Sequence, residues 1–241
     1  RININGTDWI DPSSMKVNFI VKNESCADGL QHFVNGIHNW FRRLRFIIRG
    51  QVVEDIDNYN RVCQTFTTMM DKNKQLNDSI ESWTGTTNLE LPVSLPASSS
   101  AVCLGSLFAG IFNQDKYLPV KYCPITIELE LVNNYSDSVR FGGSQLWSIE
   151  DVQLKCDMIT LDNQLDNSYA EHLLSGKSIP ISYTSYTTSQ QVCSGDATNV
   201  NISRSLTRLK SIFVTMFKEP TDHSAFNEVN LFYHRMNGTY N

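Results

Sequence analysis

Apolar residues recur at every second position along much of this chain, the period at which a strand turns one face to a core and the other to water. In MKVNFIV (15–21), Val17, Phe19 and Val21 alternate with Lys16 and Asn18. NWFRRLRFIIRG (39–50) places Trp40, Leu44, Phe46 and Ile48 on one side and Arg43, Arg45 and Arg49 on the other, with Gly50 at its turn. DKYLPVKYCPITIELELVNN (115–134) sets Ile125, Ile127, Leu129 and Leu131 against Thr126, Glu128, Glu130 and Val132. Pro119 and Pro124 stand at its entrance and Asn133-Asn134 closes it. AVCLGSLFAGIF (101–112), LWSIEDVQLKCDMITL (146–161), SIPISYTSYTT (178–188) and LKSIFVTMF (209–217) also read as strands. In the 146–161 segment Trp147 and Ile149 share one parity, and Val152, Leu154, Cys156 and Met158 the other. The slip at Glu150-Asp151 predicts a β-bulge or a strand break.

The period changes in one segment. From Asp55 onward, Ile56, Tyr59, Val62, Cys63, Phe66, Met69 and Met70 fall three and four apart, predicting a helix over 55–73 with Asp55 or Asp57 as its cap. Leu76, Ile80 and Trp83 repeat the spacing, so the helical insertion is expected over about 55–83. PVSLPASSS (92–100), GGSQ (142–145) and SGDATN (194–199) are turns or loops by composition. The reading is of roughly eight to ten strands without interleaved crossover helices, which favours an antiparallel sandwich over a parallel α/β sheet. Each strand then buries one face and leaves the other wet. Prolines stop the ladder from extending into the loop before 125, and outward carboxylates discourage stray edge pairing. The expected fold is all-β: an antiparallel jelly-roll sandwich with an inserted helix, spanning 1–219, followed by a connector at 220–241.

The 241 residues can bury a sizeable core, and a net charge of −5 argues against a dedicated nucleic-acid surface. No run of about 18 apolar residues is present, so no membrane span is expected. The chain opens in mid-pattern with RININGTDW, without an initiator Met or a signal-like start, and reads as a piece of a longer polypeptide. Cys26, Cys63, Cys103, Cys123, Cys156 and Cys193 lie singly, with no C-x-x-C pair, and are expected as free buried thiols in a reducing compartment. Sequons begin at Asn5, Asn23, Asn77, Asn134, Asn201 and Asn237, but they are not read as glycosylated.

Catalytic chemistry finds little support. His32, His38, His172, His223 and His234 have no metal-site spacing, and each reads as a surface or satisfied structural histidine. The pairs Glu54-Asp55 and Glu150-Asp151 put adjacent carboxyls on opposite strand faces, so one reads as a cap and the other as the bulge. No nucleophile elbow, phosphate loop or dinucleotide fingerprint occurs, and no metal or cofactor is expected. Arg42, Arg43, Arg45 and Arg49 concentrate charge without interleaved aromatics, which points to a solvated strand face or an interdomain ion-pair surface rather than a nucleic-acid groove.

Four stretches carry a family resemblance: RLRFIIRGQVVEDIDNYNRV (43–62), DKYLPVKYCPITIELELVNN (115–134), EDVQLKCDMITLDNQLDNSYAEHLLSGKSIPISY (150–183) and NISRSLTRLKSIFVTMF (201–217). Together, over well more than a third of the chain, they resemble the major capsid proteins of adintoviruses and the related Polinton (Maverick) elements. The resemblance implies a double jelly roll, with two eight-stranded sandwiches side by side. It further implies homotrimeric, pseudo-hexagonal capsomers in an icosahedral shell around double-stranded DNA, located in the virion and assembled inside the host cell. The expected partners are copies of the chain itself and other capsid proteins such as the penton. Proteins of that family are much longer, so this chain is expected to be one jelly roll, the first of two, with 220–241 leading toward the second.

On that reading the 22–38 and 84–100 segments are loop-end insertions. The helix wedges against a neighbour, and Tyr59, Phe66, Met69, Met70, Arg43 and Arg45 are the candidate subunit contacts. The Tyr59–Phe66–Met69/Met70 stripe is read as mostly core, so Phe66→Asp is expected to unfold the domain. Two alternatives stand beside it. One is a carbohydrate- or ligand-binding sandwich using Tyr183, Tyr186 and Trp147 as stacking platforms; the other is a sandwich hydrolase.

Overall fold

A computed structural model of the chain describes residues 1–31, 36–71, 73, 94–134, 137–139, 143–192, 199–202, 204 and 206–215. Among the described residues ten strands run in chain order: β1 (Ile2–Ile4), β2 (Trp9–Ile10), β3 (Lys16–Asn23), β4 (Phe41–Ile48), β5 (Gln51–Ile56), β6 (Ser100–Ser106), β7 (Leu118–Pro119), β8 (Ile125–Leu131), β9 (Trp147–Lys155) and β10 (Met158–Ile159). Helix α1 (Tyr59–Met69) lies between β5 and β6, and α2 (Asn163–Leu174) follows β10.

The strands form sheets ordered β1-β8-β4-β5, β6-β3-β9 and β10-β2-β7, and every ladder is antiparallel. The ladders β2–β10, β3–β9 and β4–β8 are nested one inside another, as in one long hairpin whose arms have been rolled into layers. That nesting is the jelly-roll connection, and the fold is an all-β antiparallel sandwich. The two larger sheets meet through aromatic edges. Phe19 of β3 lies 5.6 Å from Phe41 of β4, and Trp40 lies 4.7 Å from Trp147 of β9. Val17, Phe19, Val21, Leu44, Phe46, Ile125 and Ile127 are fully or almost fully buried between them.

Local chemistry explains the element ends. β4 turns into β5 through Arg49 and Gly50, both at positive φ (49° and 79°), the geometry of a tight two-residue hairpin with Ile48 opposite Gln51. In β9 the register shifts between Asn18 and Ile20 of its partner, and Asp151 adopts φ 49°. The parity slip at Glu150-Asp151 is therefore a β-bulge, as the pattern predicts. Pro119 sits inside the short strand β7, whereas Pro124 precedes β8 and gives its carbonyl to the Arg49 N–H.

The structure corrects several expectations. Strand β5 continues through Ile56, so the helix begins at Tyr59 behind Asn58, which makes no side-chain cap bond. Neither Asp55 nor Asp57 is a cap: Asp55 is a strand residue bound to Arg43. The expected continuation through Leu76, Ile80 and Trp83 lies outside the described residues, as do 84–93, His32, His223, His234, Cys193 and the 220–241 connector. A second helix, α2, stands where no helix was expected; Asp162 caps it by accepting from the Leu165 N–H at 2.7 Å. Tyr169 packs 4.6 Å from Trp9, and Lys121 pairs with Asp166, so α2 lies against the small β10-β2-β7 sheet.

Two expected strands, 178–188 and 209–217, join no ladder among the described residues, which in the second reach only 215. The first instead rests on β5 through side chains: the Tyr183 hydroxyl donates to the Val53 carbonyl and the Thr188 hydroxyl to that of Asp57. It comes so close to Gly110 that any side chain there would strike the Thr184 carbonyl. Cysteine burial is also narrower than expected. Cys63 and Cys103 are buried, Cys123 and Cys156 are partly covered, and Cys26 is exposed.

Candidate functional site

The outer face of the β1-β8-β4-β5 sheet is a lattice of ion pairs. Arg45 stands opposite Glu128 and Arg43 opposite Glu130 in the β4–β8 register, so each strand's charges meet the other's across one ladder. Arg45 reaches Glu128 at 3.1 Å and Glu130 at 3.8 Å, and Arg1 also pairs with Glu128. Arg42 bridges Asp57 and Glu130 at 3.6 and 4.0 Å. Arg43 grips Asp55 through two 2.7 Å bonds, which hold that carboxyl below the usual range and raise the guanidinium further. Four guanidinium groups therefore face four carboxylates. These pairs lie within one sheet of the chain, where a solvated face or an interdomain ion-pair surface was expected.

Beside it, α1 builds a second feature. Tyr59 is fully buried and its hydroxyl accepts from the Phe108 N–H at 2.7 Å; burial pushes its pKa well above the ordinary value. Phe66 is half-buried in a ring cluster with Phe108, Tyr186 and Phe213 at 4.9, 4.9 and 5.2 Å. Met69 is 54% exposed at the helix end and Met70 is half-buried. The six candidate contacts thus divide into a core anchor (Tyr59), a partly covered seam (Phe66, Met70), one open side chain (Met69) and two paired arginines.

Glu54 is a feature that sequence reasoning missed. It is 2% exposed, and its two oxygens accept the Gly110 and Ile111 N–H groups at 2.9 and 3.0 Å. The Ser185 side chain and the Tyr186 N–H also reach it. Burial raises its pKa despite these donors, so dehydration of the charge outweighs them. The carboxylate ties β5 to the 3-10 turn at Gly110–Asn113 and to the 183–188 segment. The available signal was its place at a buried parity of β5.

A cleft of about 670 Å³ opens beside the α1 terminus, lined by His38, Met70, Phe108, Phe112, Asp115 and Tyr117 among others. Burial lowers the His38 pKa to about 4, and its Nδ1 has no hydrogen-bond partner, so this histidine is neutral and incompletely satisfied. Its ring lies 5.5 Å from Tyr59. Among the described residues, no three His, Cys, Asp or Glu side chains gather to hold a metal. Burial raises the Cys103 thiol to about 12, which makes it a small hydrophobe rather than a nucleophile. The rings proposed for sugar stacking are engaged internally: Trp147 on Trp40, Tyr186 on Phe66 and Phe108, and Tyr183 by its bond to Val53.

Large apolar side chains remain uncovered in several places. Val102 (61%) and Val152 (46%) lie on edge strands, Leu174 (86%) closes α2, and Val200, Ile202, Leu206, Leu209, Ile212, Phe213 and Val214 are all at least 50% exposed or nearly so. Among the described residues, no helix is long and apolar enough to cross a membrane.

No protein-family model matches the chain, and no curated protein does. Among solved structures it is similar to a quasi-atomic model of the PBCV-1 virus capsid, with a TM-score of 0.45 and 18% identity over 70% of this chain and 39% of the other. It is also similar to the crystal structure of PBCV-1 VP54 fitted into a cryo-EM reconstruction of the virophage Sputnik, with a TM-score of 0.43 and 18% identity over 70% of this chain and 40% of the other. The chain spans about two-fifths of the length of those structures.

Proposed function

We propose that this chain is a structural subunit of a viral capsid, a shell protein that works by contact with copies of itself rather than by catalysis. The observation that carries the reading is a buried aromatic core beside many large apolar side chains left uncovered. Val102, Leu174, Leu209 and Ile212 stand outside the core at 57–86% exposure, and apolar surface left uncovered in this way supports contact with a partner. The four sequence stretches that resemble adintovirus and Polinton major capsid proteins supply the finer reading. On it, the chain is one jelly roll of a double jelly roll, residues 220–241 lead toward the second, and capsomers are pseudo-hexagonal homotrimers that meet penton proteins in the virion. We assign Met69, with the Phe66–Met70 seam, to contact with a neighbouring subunit, and Arg43 and Arg45 on the ion-paired face to a second contact.

Native mass spectrometry of the full chain tests this. A trimer or larger assembly is expected. Met69→Asp should reduce assembly while leaving the circular dichroism spectrum unchanged, and Phe66→Asp should cost folding because its ring contacts three others. A stable monomer that binds glycans would overturn the proposal in favour of the carbohydrate-binding sandwich.

A further inference from the structure

The β4–β5 hairpin ends in a cation that nothing in the subunit answers. Arg42, Arg43 and Arg45 each meet a carboxylate, but Arg49 is exposed and its guanidinium has no hydrogen-bond or ion-pair partner among the described residues. Arg49 and Gly50 form the tip of a tight turn at positive φ, with Ile48 opposite Gln51 and the Arg49 N–H bonded to the Pro124 carbonyl. The backbone of the tip is thus fixed before any contact is made, and a fixed backbone loses little freedom on binding. Val52, 53% exposed, follows it, so the projection carries an uncovered apolar side chain beside its charge.

The cleft beside α1 has the opposite character. Asp11 and Asp115 stand in its lining with the rings of Phe108, Phe112 and Tyr117, and the described residues that line it include no lysine or arginine. Its histidine, His38, stays neutral at neutral pH because burial lowers its pKa to about 4. Asp115 is exposed, and its carboxylate has no hydrogen-bond or ion-pair partner among the described residues. Asp11 accepts from the Ser13 N–H and hydroxyl at 2.9 and 2.7 Å; both donors are neutral, so they orient that carboxylate without balancing its charge. A guanidinium pairs with carboxylates and lies against aromatic rings, and this cleft supplies both. Its volume of about 670 Å³ falls within the roughly 300–1,000 Å³ of pockets that enclose a small molecule, which is ample for one arginine side chain.

We propose that the Arg49–Gly50 tip of one copy of this chain seats in the cleft of a second copy, with its guanidinium against Asp115. The tip and the cleft are two unanswered features of opposite charge that do not meet within the subunit, so a second copy supplies to each what the first lacks. A tip that enters a cleft on the next copy makes a heterologous contact, which repeats head to tail and closes into a ring where the rotation between copies allows. The inference rests on the self-association reading above and adds the projection and the seat through which it occurs.

Sedimentation velocity on the full chain, at about 0.15 M and about 0.5 M salt, provides the test. Four proteins are compared: the parent chain, Arg49→Asp, Asp115→Lys, and the double variant that carries both changes. Aspartate is chosen at 49 because it tolerates the positive φ there. Both positions are exposed, so the circular dichroism spectrum and the urea midpoint should stay parental. The parent should associate, more weakly at high salt. Each single variant should associate about tenfold less tightly or worse, because it sets like charges face to face. The double variant exchanges the two signs, restores attraction, and should regain most of the lost affinity. A parent chain that is monomeric at both salt concentrations would overturn both this proposal and the capsid reading. An oligomer indifferent to both single variants would overturn the tip and its seat while leaving self-association intact. Single variants that weaken association without recovery in the double would also overturn the pairing, since the two residues would then act at separate contacts.

Discussion

Glu54 offers the most exacting check on how this sandwich is held together. Glu54→Ala would remove the acceptor of the Gly110 and Ile111 N–H groups, which sit 2.9 and 3.0 Å from the carboxylate in the interior. Each buried donor left without a partner costs about 1–3 kcal/mol, so these two alone set a gross loss of about 2–6 kcal/mol, to which the Tyr186 N–H and the Ser185 side chain add. Removing a dehydrated charge gives some of that back, and so does water entering the space. We expect a net destabilisation of about 3 kcal/mol at neutral pH. With a urea m-value near 2 kcal/mol/M, the midpoint should fall by about 1.5 M at unchanged slope. Tryptophan fluorescence suits the assay because Trp40 and Trp147 pack between the sheets.

A pH series sharpens the same experiment. The Glu54 pKa is raised in the folded protein by burial, so the native state keeps its proton at pH values where the unfolded chain has lost it. Stability from this group is then fully present below the ordinary carboxylate value of 4.5 and declines as pH rises through the raised one. Glu54→Gln keeps the shape and cannot ionise. It should flatten that part of the profile, and it should cost less than Glu54→Ala but not be neutral, since its NH2 faces one of the two N–H donors that the carboxylate accepted. A Glu54→Ala protein within about 0.5 kcal/mol of the parent would refute the reasoning, since surface changes behave that way. So would a parental stability that rises with pH across this window by more than the Glu54→Gln protein's.

Two further substitutions probe buried polar joints. Tyr59→Phe deletes the acceptor of the Phe108 N–H, and a loss of about 1–3 kcal/mol is expected in the same urea assay, with helix content unchanged. Asn23→Asp should be worse, at about 3 kcal/mol or more: the fully buried Asn23 amide donates to the carbonyls of Asp28, Leu95 and Pro96, and a carboxylate would face all three with acceptors alone. Hydrogen exchange at Leu30 and Leu95, whose backbones bond to each other, should accelerate in that variant and report the loosening directly.

The strands that were legible in the sequence are those with one wet and one dry face. β3 alternates buried and partly covered residues along its whole length, and β4 and β8 bury Leu44, Phe46, Ile125 and Ile127 beneath an ion-paired exterior. The bulge in β9 was visible because an extra residue must flip parity. The start of α1 was misplaced because Ile56 suits both periods. It ends a strand and also continues the helical spacing, and its neighbour Asp55 looks like a cap until Arg43 claims it. α2 was missed because it buries none of its residues, leaving no strong apolar stripe to read. Its signals were at the ends, in Asp162 and in Gly176 at φ 78°. Glu54 was hidden for a different reason: a carboxylate in a buried parity has meaning once the amides it meets, 56 and 57 residues away, are known.

The two failed strand assignments follow from what alternation measures. A period of two records that a segment will turn one side toward apolar surroundings, but it does not record whose backbone completes the ladder. Residues 178–188 satisfy part of that demand by resting Ile181, Tyr183 and Tyr186 against the core and bonding β5 through side chains. Residues 209–215 satisfy almost none of it, since Leu209, Ile212 and Val214 face outward at 57%, 60% and 77% exposure. The same patterning rule that located β3, β4 and β8 thus fails here for a physical reason: a period of two is set by which side of the chain meets apolar surroundings, and among the described residues no ladder takes up the backbone of 209–215.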